Sequence, residues 1–147
     1  MTFASARAAL FADDAETARI AFARLLEESP DDLDIKLHEA WARARLGEEL
    51  DEAIEDLALR ALTTGKSLGL PLCILGHAAL RRGELHVARS LFRRACEAAP
   101  SLVDAARSKR LAEERLRRHR QTMLRSHLSF LVVVTSMVSF ILLNARP

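Results

Sequence analysis

The residues of this chain that could do chemistry are five histidines, two cysteines and a cluster of acidic residues. His38 and His77 could face the same surface, but two imidazoles without a carboxylate partner do not make a metal site. Cys73 and Cys96 lack metal-ligand spacing and are too few for a disulfide framework. The acids between Glu48 and Asp56 resemble neither a calcium loop nor a catalytic carboxylate pair. The side chains therefore predict no metal site and no catalytic centre.

The sequence also lacks the short motifs that usually announce an enzyme. Its five glycines, at positions 47, 65, 69, 76 and 83, form no phosphate-binding loop. HExxH, CxxC and GxSxG are absent as well. We therefore expect a protein that is not an enzyme, that needs no cofactor and that acts by binding.

Composition favours helices as the elements that position these residues. Half of the 147 residues are apolar but only 5% are aromatic, and the chain has only 5 glycines and 4 prolines. These proportions predict an all-α fold and argue against a β-sandwich or barrel. Charge divides unevenly: residues 1–56 carry 15 acids and 6 bases, a net −9, whereas residues 57–147 carry 5 acids and 16 bases, a net +11. The acidic half would repel phosphate, so nucleic acid is not an expected partner, although the split permits head-to-tail homo-oligomers.

The C-terminal end of the chain is strongly apolar. Residues 128–143 contain no charge and include 11 Leu, Ile, Val or Phe, and the 20 residues between Arg125 and Arg146 carry no formal charge. At 1.5 Å per residue, 20 helical residues span about 30 Å, the thickness of a bilayer core. The pattern predicts a transmembrane tail anchor at 128–143 followed by a short tail at 144–147. The alternative is a helix that is buried against protein.

Basic residues flank only one side of the apolar segment. Eight Lys or Arg residues between positions 107 and 125 precede it, and only Arg146 follows. By the positive-inside rule, the N-terminal part of the chain is expected in the cytoplasm. The N-terminal apolar run is too short for a signal peptide. The arginines nearest the segment could bind anionic lipid or simply form its positive flank; they are Arg115, Arg117, Arg118, Arg120 and Arg125.

Residues 69–102 form a 34-residue unit with two predicted helices. Gly76 and Ala88 are small, which allows the two helices to approach closely, and Phe92 would fill the gap between neighbouring units. Pro100 ends the second helix because it cannot donate the next backbone hydrogen bond. The expected packing residues of this unit are Leu75, Gly76, Ala88, Phe92 and Pro100.

Two earlier copies fit the same period. Residues 34–67 carry Ala53 and Leu57 at packing positions, but Trp41 stands where a small residue is expected, so the helices could cross at a wider distance. Residues 1–32 carry Ala18 and Phe22 at the matching positions. The pattern resembles the tetratricopeptide repeat, and the resemblance implies a stack of three helical hairpins over residues 1–102, two-thirds of the chain.

A further helix is expected over residues 103–127. Its first half should cap the third repeat, because a terminal repeat needs a polar outer face. No Gly or Pro interrupts the chain from Ser101 to Ala145, so this basic helix should continue into the apolar segment without a linker.

The resemblance also implies a peptide-binding groove lined by the first helix of each repeat. The candidates are Phe3, Arg7, Phe11, His38, Ala42, Arg45, Cys73, His77 and Arg81. Such a lining suits a short peptide with apolar side chains and an acidic group, unless its arginines are only solvated surface. The lysine–asparagine clamp of chaperone-binding members is absent, so chaperone tails are poor candidate ligands.

Two functions follow as expectations. The first is a membrane-anchored adaptor that holds a protein or peptide partner at the bilayer, in a layout similar to that of the mitochondrial fission adaptor. The alternative is a soluble chaperone for secretion or assembly, resembling the three-repeat secretion chaperones, whose apolar C-terminal helix packs against a partner or in an oligomer.

Overall fold

The chain folds into helices throughout the part that the structure describes. A computed structural model describes residues 2–65 and 67–144, with side chains up to residue 137. These residues form α1 (Phe3–Phe11), α2 (Ala15–Glu28), α3 (Leu33–Arg45), α4 (Glu52–Thr64), α5 (Gly69–Arg81), α6 (Leu85–Ala98) and α7 (Val103–Asn144). Helices α1 to α6 pack in hairpins in chain order. The fold is all-α, as the composition predicted. It is also consistent with a helical repeat.

Polar side chains cap the first four helices. The Thr2 hydroxyl accepts a hydrogen bond from the Ser5 backbone N–H at 3.3 Å. Asp14 and Asp51 each accept from the backbone N–H three residues later, at 3.1 and 2.9 Å. Asp32 accepts from two such groups at the start of α3. These caps satisfy backbone donors that have no partner within the helix, so they fix where each helix begins.

The turns inside the hairpins require left-handed backbone. Gly83 joins α5 to α6 with φ +75°, and Gly47 follows α3 with φ +102°. In the first hairpin Asp13 takes this conformation, with φ +71°. Aspartate is one of the few residue types other than glycine that adopts it at modest cost.

Helix α5 lies at the centre of the core. Most of its residues are buried, from Gly69 at its start to Leu80 near its end. A Cβ atom on Gly76 would lie 2.6 Å from Cε1 of Phe92, and one on Gly69 would overlap Cβ of Ala99. Any side chain at either glycine would force its neighbours apart, so these positions allow α6 and the chain after it to approach α5 closely.

The outer two hairpins bury most of their expected packing residues. Ala18, Phe22, Gly76, Ala88 and Phe92 are all buried. Leu75 is half-buried, and Pro100 is exposed just beyond the end of α6.

The middle hairpin packs differently from the other two. On α4, Ala53 is exposed and Leu57 is half-buried, whereas Ala58 and Ala61 are buried. The indole of Trp41 is buried, but it packs at a tilt against the imidazole of His77 on α5, with 5.2 Å between the ring centroids. Helix α3 contacts α4 less extensively than α5 contacts α6.

Helix α7 is continuous from Val103 to Asn144, in keeping with the lack of Gly and Pro in this stretch. The chain nevertheless divides into two compact units, residues 1–112 and 113–147. The boundary falls within α7, beyond the expected limit of the repeats at residue 102. Three residues of α7 are buried in the first unit: Ala105, Ser108 and Ala112.

The second unit exposes most of its apolar side chains. From Leu128 to Met137, the large apolar side chains are 38 to 67% exposed. Among the described residues, no helix has both the length and the hydropathy that crossing a bilayer requires. The anchor predicted at 128–143 continues past residue 137, where its side chains lie outside the described residues, as do residues 145–147 of the predicted tail.

Candidate functional site

The residues predicted to line a groove lie on the first helices of the three hairpins, α1, α3 and α5. They fall into two groups. The start of α7 contacts several of those on α3 and α5, whereas Arg7, Phe11 and His38 surround a small cavity.

Arg45 is held by groups within the fold. Its guanidinium donates hydrogen bonds to Oδ2 of Asp104 on α7 at 3.1 Å and to the Leu10 carbonyl at 3.0 Å, and it forms an ion pair with Asp13. Only 16% of its side chain is exposed. The indole N–H of Trp41 donates to the same Asp104 oxygen at 3.2 Å. Arg45 therefore joins α1, α3 and α7 and is not placed to bind an external acid.

His77 is a packing residue in this structure. Its ring lies between Trp41 and Phe92, with 5.2 and 5.1 Å between ring centroids. Its Nε2 atom is 2.9 Å from the hydroxyl of Ser108 on α7. Burial lowers the pKa of His77, although the nearby Asp104 carboxylate acts in the opposite direction. The imidazole is therefore neutral at neutral pH and is hydrogen-bonded to a neutral group.

The thiol of Cys73 is not reactive in this environment. Cys73 is fully buried on α5, and burial raises the pKa of its thiol well above the usual range. The protonated thiol is a poor nucleophile. Cys96 is half-buried, and both cysteines are free. Among the described residues, no three His, Cys, Asp or Glu side chains lie close enough together to hold a metal ion.

Arg81 and the acidic cluster form a second polar surface. Arg81 and Arg82 donate to the two carboxylate oxygens of Glu55 on α4, at 2.5 and 2.7 Å. An open cleft of about 650 Å³ lies beside these ion pairs, lined also by Asp51, Glu52, Asp56 and Leu59. The two arginines compensate part of the acidic charge and tie α4 to α5.

Ala42, which was also expected in the groove, is fully buried.

A cavity of about 60 Å³ remains open among the predicted groove residues. Arg7 and Phe11 of α1 and His38 of α3 line it, together with Leu10, Ser67, Leu70, Ala99, Ser101 and Leu102. Phe3 does not line it, but its ring packs edge-on against His38 at 5.0 Å and against Phe22 at 5.7 Å. The cavity is thus largely apolar, with a few polar groups at its wall.

The two nitrogen-bearing side chains of the cavity differ in charge. The Nδ1 atom of His38 is 2.7 Å from the Asp34 carbonyl oxygen, so Nδ1 carries the proton and Nε2 is left as an acceptor. Burial lowers the pKa of His38, and the ring is neutral at neutral pH. Arg7 is exposed, and its guanidinium lies 5.4 Å from the Phe11 ring centroid. Of the three groove arginines, Arg7 alone forms no ion pair with a described residue.

The sequence did not single out Asp104 and Ser108, which contact several of the predicted groove residues. A signal was present: the two are four residues apart and follow the same helical spacing as the buried Ala105 and Ala112. Polar residues at positions that a helix buries need partners, and here the partners are Arg45, Trp41 and His77.

The basic residues that precede the apolar segment lie on the exposed surface of α7. Arg115, Arg117, Arg118, Arg120 and Arg125 are all exposed, and Arg118 forms an ion pair with Glu114 one turn earlier. No protein-family model, curated protein or solved structure matches the chain.

Proposed function

We propose that this chain is a non-enzymatic protein of the tetratricopeptide-repeat type that binds a protein partner. In this proposal it acts as an assembly or secretion chaperone, and the apolar part of α7 packs against the partner or against a second copy. The observation that carries the proposal is the run of exposed apolar side chains from Leu128 to Met137.

Hydrophobic energetics support this role for α7. Complete burial of a Leu, Val, Phe or Met side chain is worth about 1.5–3 kcal/mol. Monomeric proteins in water rarely leave a contiguous apolar surface of this kind uncovered, and larger patches mark sites of association. Phe130 and Val132 are 67 and 64% exposed, so a partner that covers this segment would gain several such contributions.

Matched packing in the outer hairpins supports the repeat type. Ala6 and Phe22 in the first hairpin are fully buried, as are Gly76 and Phe92 in the third. Each pair places a small residue on the first helix and a phenylalanine on the second at the corresponding repeat positions, and Gly76 and Phe92 lie next to each other. A stack of this kind offers surfaces for binding without any catalytic group.

The test compares the full chain with a chain that ends at Ser126, by size-exclusion chromatography with light scattering. We expect the full chain to form oligomers or partner complexes, and the shorter chain to be monomeric with the α1–α6 helical signal retained. A matched pair of full-length variants controls for the truncation. Val132→Gln should weaken association, whereas Gln121→Ala, on the same helix, should not. Equal association of all four proteins would contradict the proposal.

A second candidate function, a membrane-anchored adaptor, is favoured by the way polarity changes along α7. Five consecutive apolar residues of α7 are exposed: Phe130, Leu131, Val132, Val133 and Val134. At 3.6 residues per turn, their side chains project from all sides of the helix. The exposed arginines come before this apolar stretch and do not lie on an opposite face. Such a pattern is also compatible with a medium that surrounds the helix.

Alkaline carbonate extraction separates the two candidates. If only the full chain remains in carbonate-washed membranes, and the chain ending at Ser126 does not, the adaptor function is favoured over the chaperone. If the full chain is extracted together with a bound protein or as an oligomer, the chaperone function is favoured.

A further inference from the structure

We propose that Cys73 and Cys96 form a redox pair that a small disulfide compound, such as oxidised glutathione, converts to an intramolecular disulfide. The inference goes beyond the proposed binding function, because it concerns a covalent modification within the first unit. Cys73 lies on α5 and Cys96 on α6, and both are free thiols in this structure. The product would join the two helices of the third hairpin covalently.

Each cysteine belongs to a stripe of residues along one side of its helix. Residues spaced by three and four positions lie on the same side of an α-helix. The stripe on α5 consists of Gly69, Cys73 and Gly76. The stripe on α6, which extends to the residue that ends this helix, consists of Phe92, Cys96 and Ala99. In both stripes the cysteine is the middle residue.

The outer members of the two stripes are in contact, and these contacts fix where the cysteines lie. Gly69 faces Ala99, because a Cβ atom on that glycine would overlap the alanine Cβ. Gly76 faces the ring of Phe92 at the other end of the stripe. Since the first residue of one stripe meets the last residue of the other, α5 and α6 are antiparallel. The two cysteines therefore lie at the same level on facing sides of the helices.

The separation of the helices at this level suits a disulfide. The bond needs about 3.5–4.5 Å between the two Cβ atoms. At Gly69 the helices are closer than two Cβ atoms allow, whereas at Gly76 a phenyl ring from α6 reaches the space between them. The separation that a disulfide requires therefore falls between these two levels, where the cysteines are.

The two thiols differ in their access to solvent, and this difference sets the order of the reaction. Cys73 is fully buried, and burial raises the pKa of its thiol; the nearby Asp104 and Cys96 act in the same direction. Cys96 is only half-buried, so a reagent in solution can reach it. Because the attacking group in disulfide exchange must be an accessible thiolate, Cys96 reacts first.

The reaction consists of two exchanges and consumes one molecule of oxidised glutathione. The Cys96 thiol loses a proton and its sulfur attacks the glutathione disulfide, so that one glutathione leaves as a thiol. The attached glutathione forces α5 and α6 apart, which opens Cys73 to water. The Cys73 thiol then loses its proton, its sulfur attacks that of Cys96, and the second glutathione leaves. The two cysteines lose two electrons, and the glutathione disulfide is reduced to two thiols.

The test follows the reduced full chain during incubation with oxidised glutathione in the absence of denaturant. Intact-mass spectrometry separates the chain that carries one glutathione from the chain that is two hydrogens lighter. Non-reducing tryptic digestion locates the bond, because Cys73 falls in residues 67–81 and Cys96 in residues 95–107. We expect these two peptides to be joined, and the urea midpoint to rise by about 1–2 M on oxidation.

Two matched alanine variants test the order of the exchanges. Cys73→Ala should stop at the chain that carries one glutathione. Cys96→Ala should remain unmodified, because its one thiol is buried. Circular dichroism of both variants checks that the helical signal is retained.

A comparison with the unfolded wild-type chain shows whether the fold aligns the cysteines, and it does not depend on either variant. In glutathione redox buffers, the ratio of internal disulfide to reduced chain gives the effective concentration of one thiol at the other. We expect this value to be at least tenfold higher without denaturant than in concentrated urea, where only a flexible loop of about 24 residues links the cysteines.

The proposal is overturned if these two effective concentrations are equal. It is also overturned if the wild-type chain does not react, stops with one glutathione attached, or forms disulfides only between two chains.

Discussion

The third hairpin and the middle hairpin solve the same packing problem in different ways. Between α5 and α6, Gly76 has no side chain and the fully buried ring of Phe92 occupies the space beside it. At the corresponding position of α3 stands Trp41, whose indole contacts His77 and Asp104, and the corresponding Leu57 of α4 is half-buried. In the middle hairpin a large side chain thus stands where the third hairpin has a glycine, and that side chain contacts α5 and α7.

The largest expected effect is a difference in the free energy of unfolding between two matched alanine substitutions. Phe92→Ala removes a fully buried ring and should lower the free energy of unfolding by about 3–5 kcal/mol. Leu57→Ala removes a half-buried side chain and should cost less than about 2 kcal/mol. Urea denaturation followed by circular dichroism measures both. Similar losses would mean that the middle hairpin is packed as tightly as the third.

A smaller effect, with a sign that is itself informative, is expected at Gly76. Helix propensity alone would make Gly76→Ala stabilising by about 1 kcal/mol. Because the new Cβ atom would lie within 3 Å of the Phe92 ring, we expect a loss of about 1–3 kcal/mol. Ala53→Gly, in the exposed first turn of α4, supplies the propensity reference and should cost less than about 1 kcal/mol. A more stable Gly76→Ala protein would show that close approach is not what the glycine provides.

The polar contacts of Trp41 should contribute less. Trp41→Phe keeps most of the ring but removes the N–H that donates to Asp104, and should cost about 1–2 kcal/mol. A double-mutant cycle with Asp104→Ala, which removes the acceptor, measures the coupling between the two side chains. Strictly additive losses in that cycle would mean that the hydrogen bond does not stabilise the fold.

The smallest expected effect is a dependence of stability on pH. Burial places the pKa values of His38 and His77 below that of an exposed histidine. As the pH falls below about 6.5, the unfolded chain therefore binds protons before the folded chain does. The stability from these neutral rings is fully present above that pH and should decline as the pH falls through this range. Urea midpoints between pH 7.5 and 5.5, with His38→Gln and His77→Gln as references, measure it; midpoints that rise on acidification would contradict it.

Much of the fold could be predicted from the sequence because its signals are local. The chain has few glycines and prolines, and several of them indicated where the turns lie. The spacing of Gly76, Ala88 and Phe92 was enough to predict the third hairpin. The contents of the groove could not be predicted in this way. Whether Arg45 meets a ligand or Asp104 depends on a contact between residues 59 positions apart, and no pattern within one helix encodes that pairing.

The cavity could be predicted only in part for the same reason. Arg7, Phe11 and His38 were expected in the groove from their repeat positions. Ser67, Ala99 and Ser101 lie in or beside connections between helices, where the chain path depends on tertiary packing. The tryptophan at position 41 departed from the repeat pattern in the sequence itself, but its alternative partners could be identified only once the helices were packed.

The side chain of Asp104 also bears on how the molecule unfolds. In a stack where each hairpin touches only its neighbours, end units can open one at a time, and denaturation loses its single sharp transition. Asp104 accepts hydrogen bonds from Trp41 and Arg45, which lie 63 and 59 residues earlier in the chain. Local unfolding of the start of α7 would therefore also break contacts of the second hairpin. Those hydrogen bonds couple the last part of the first unit to its middle, and this coupling favours unfolding of residues 1–112 as one cooperative unit.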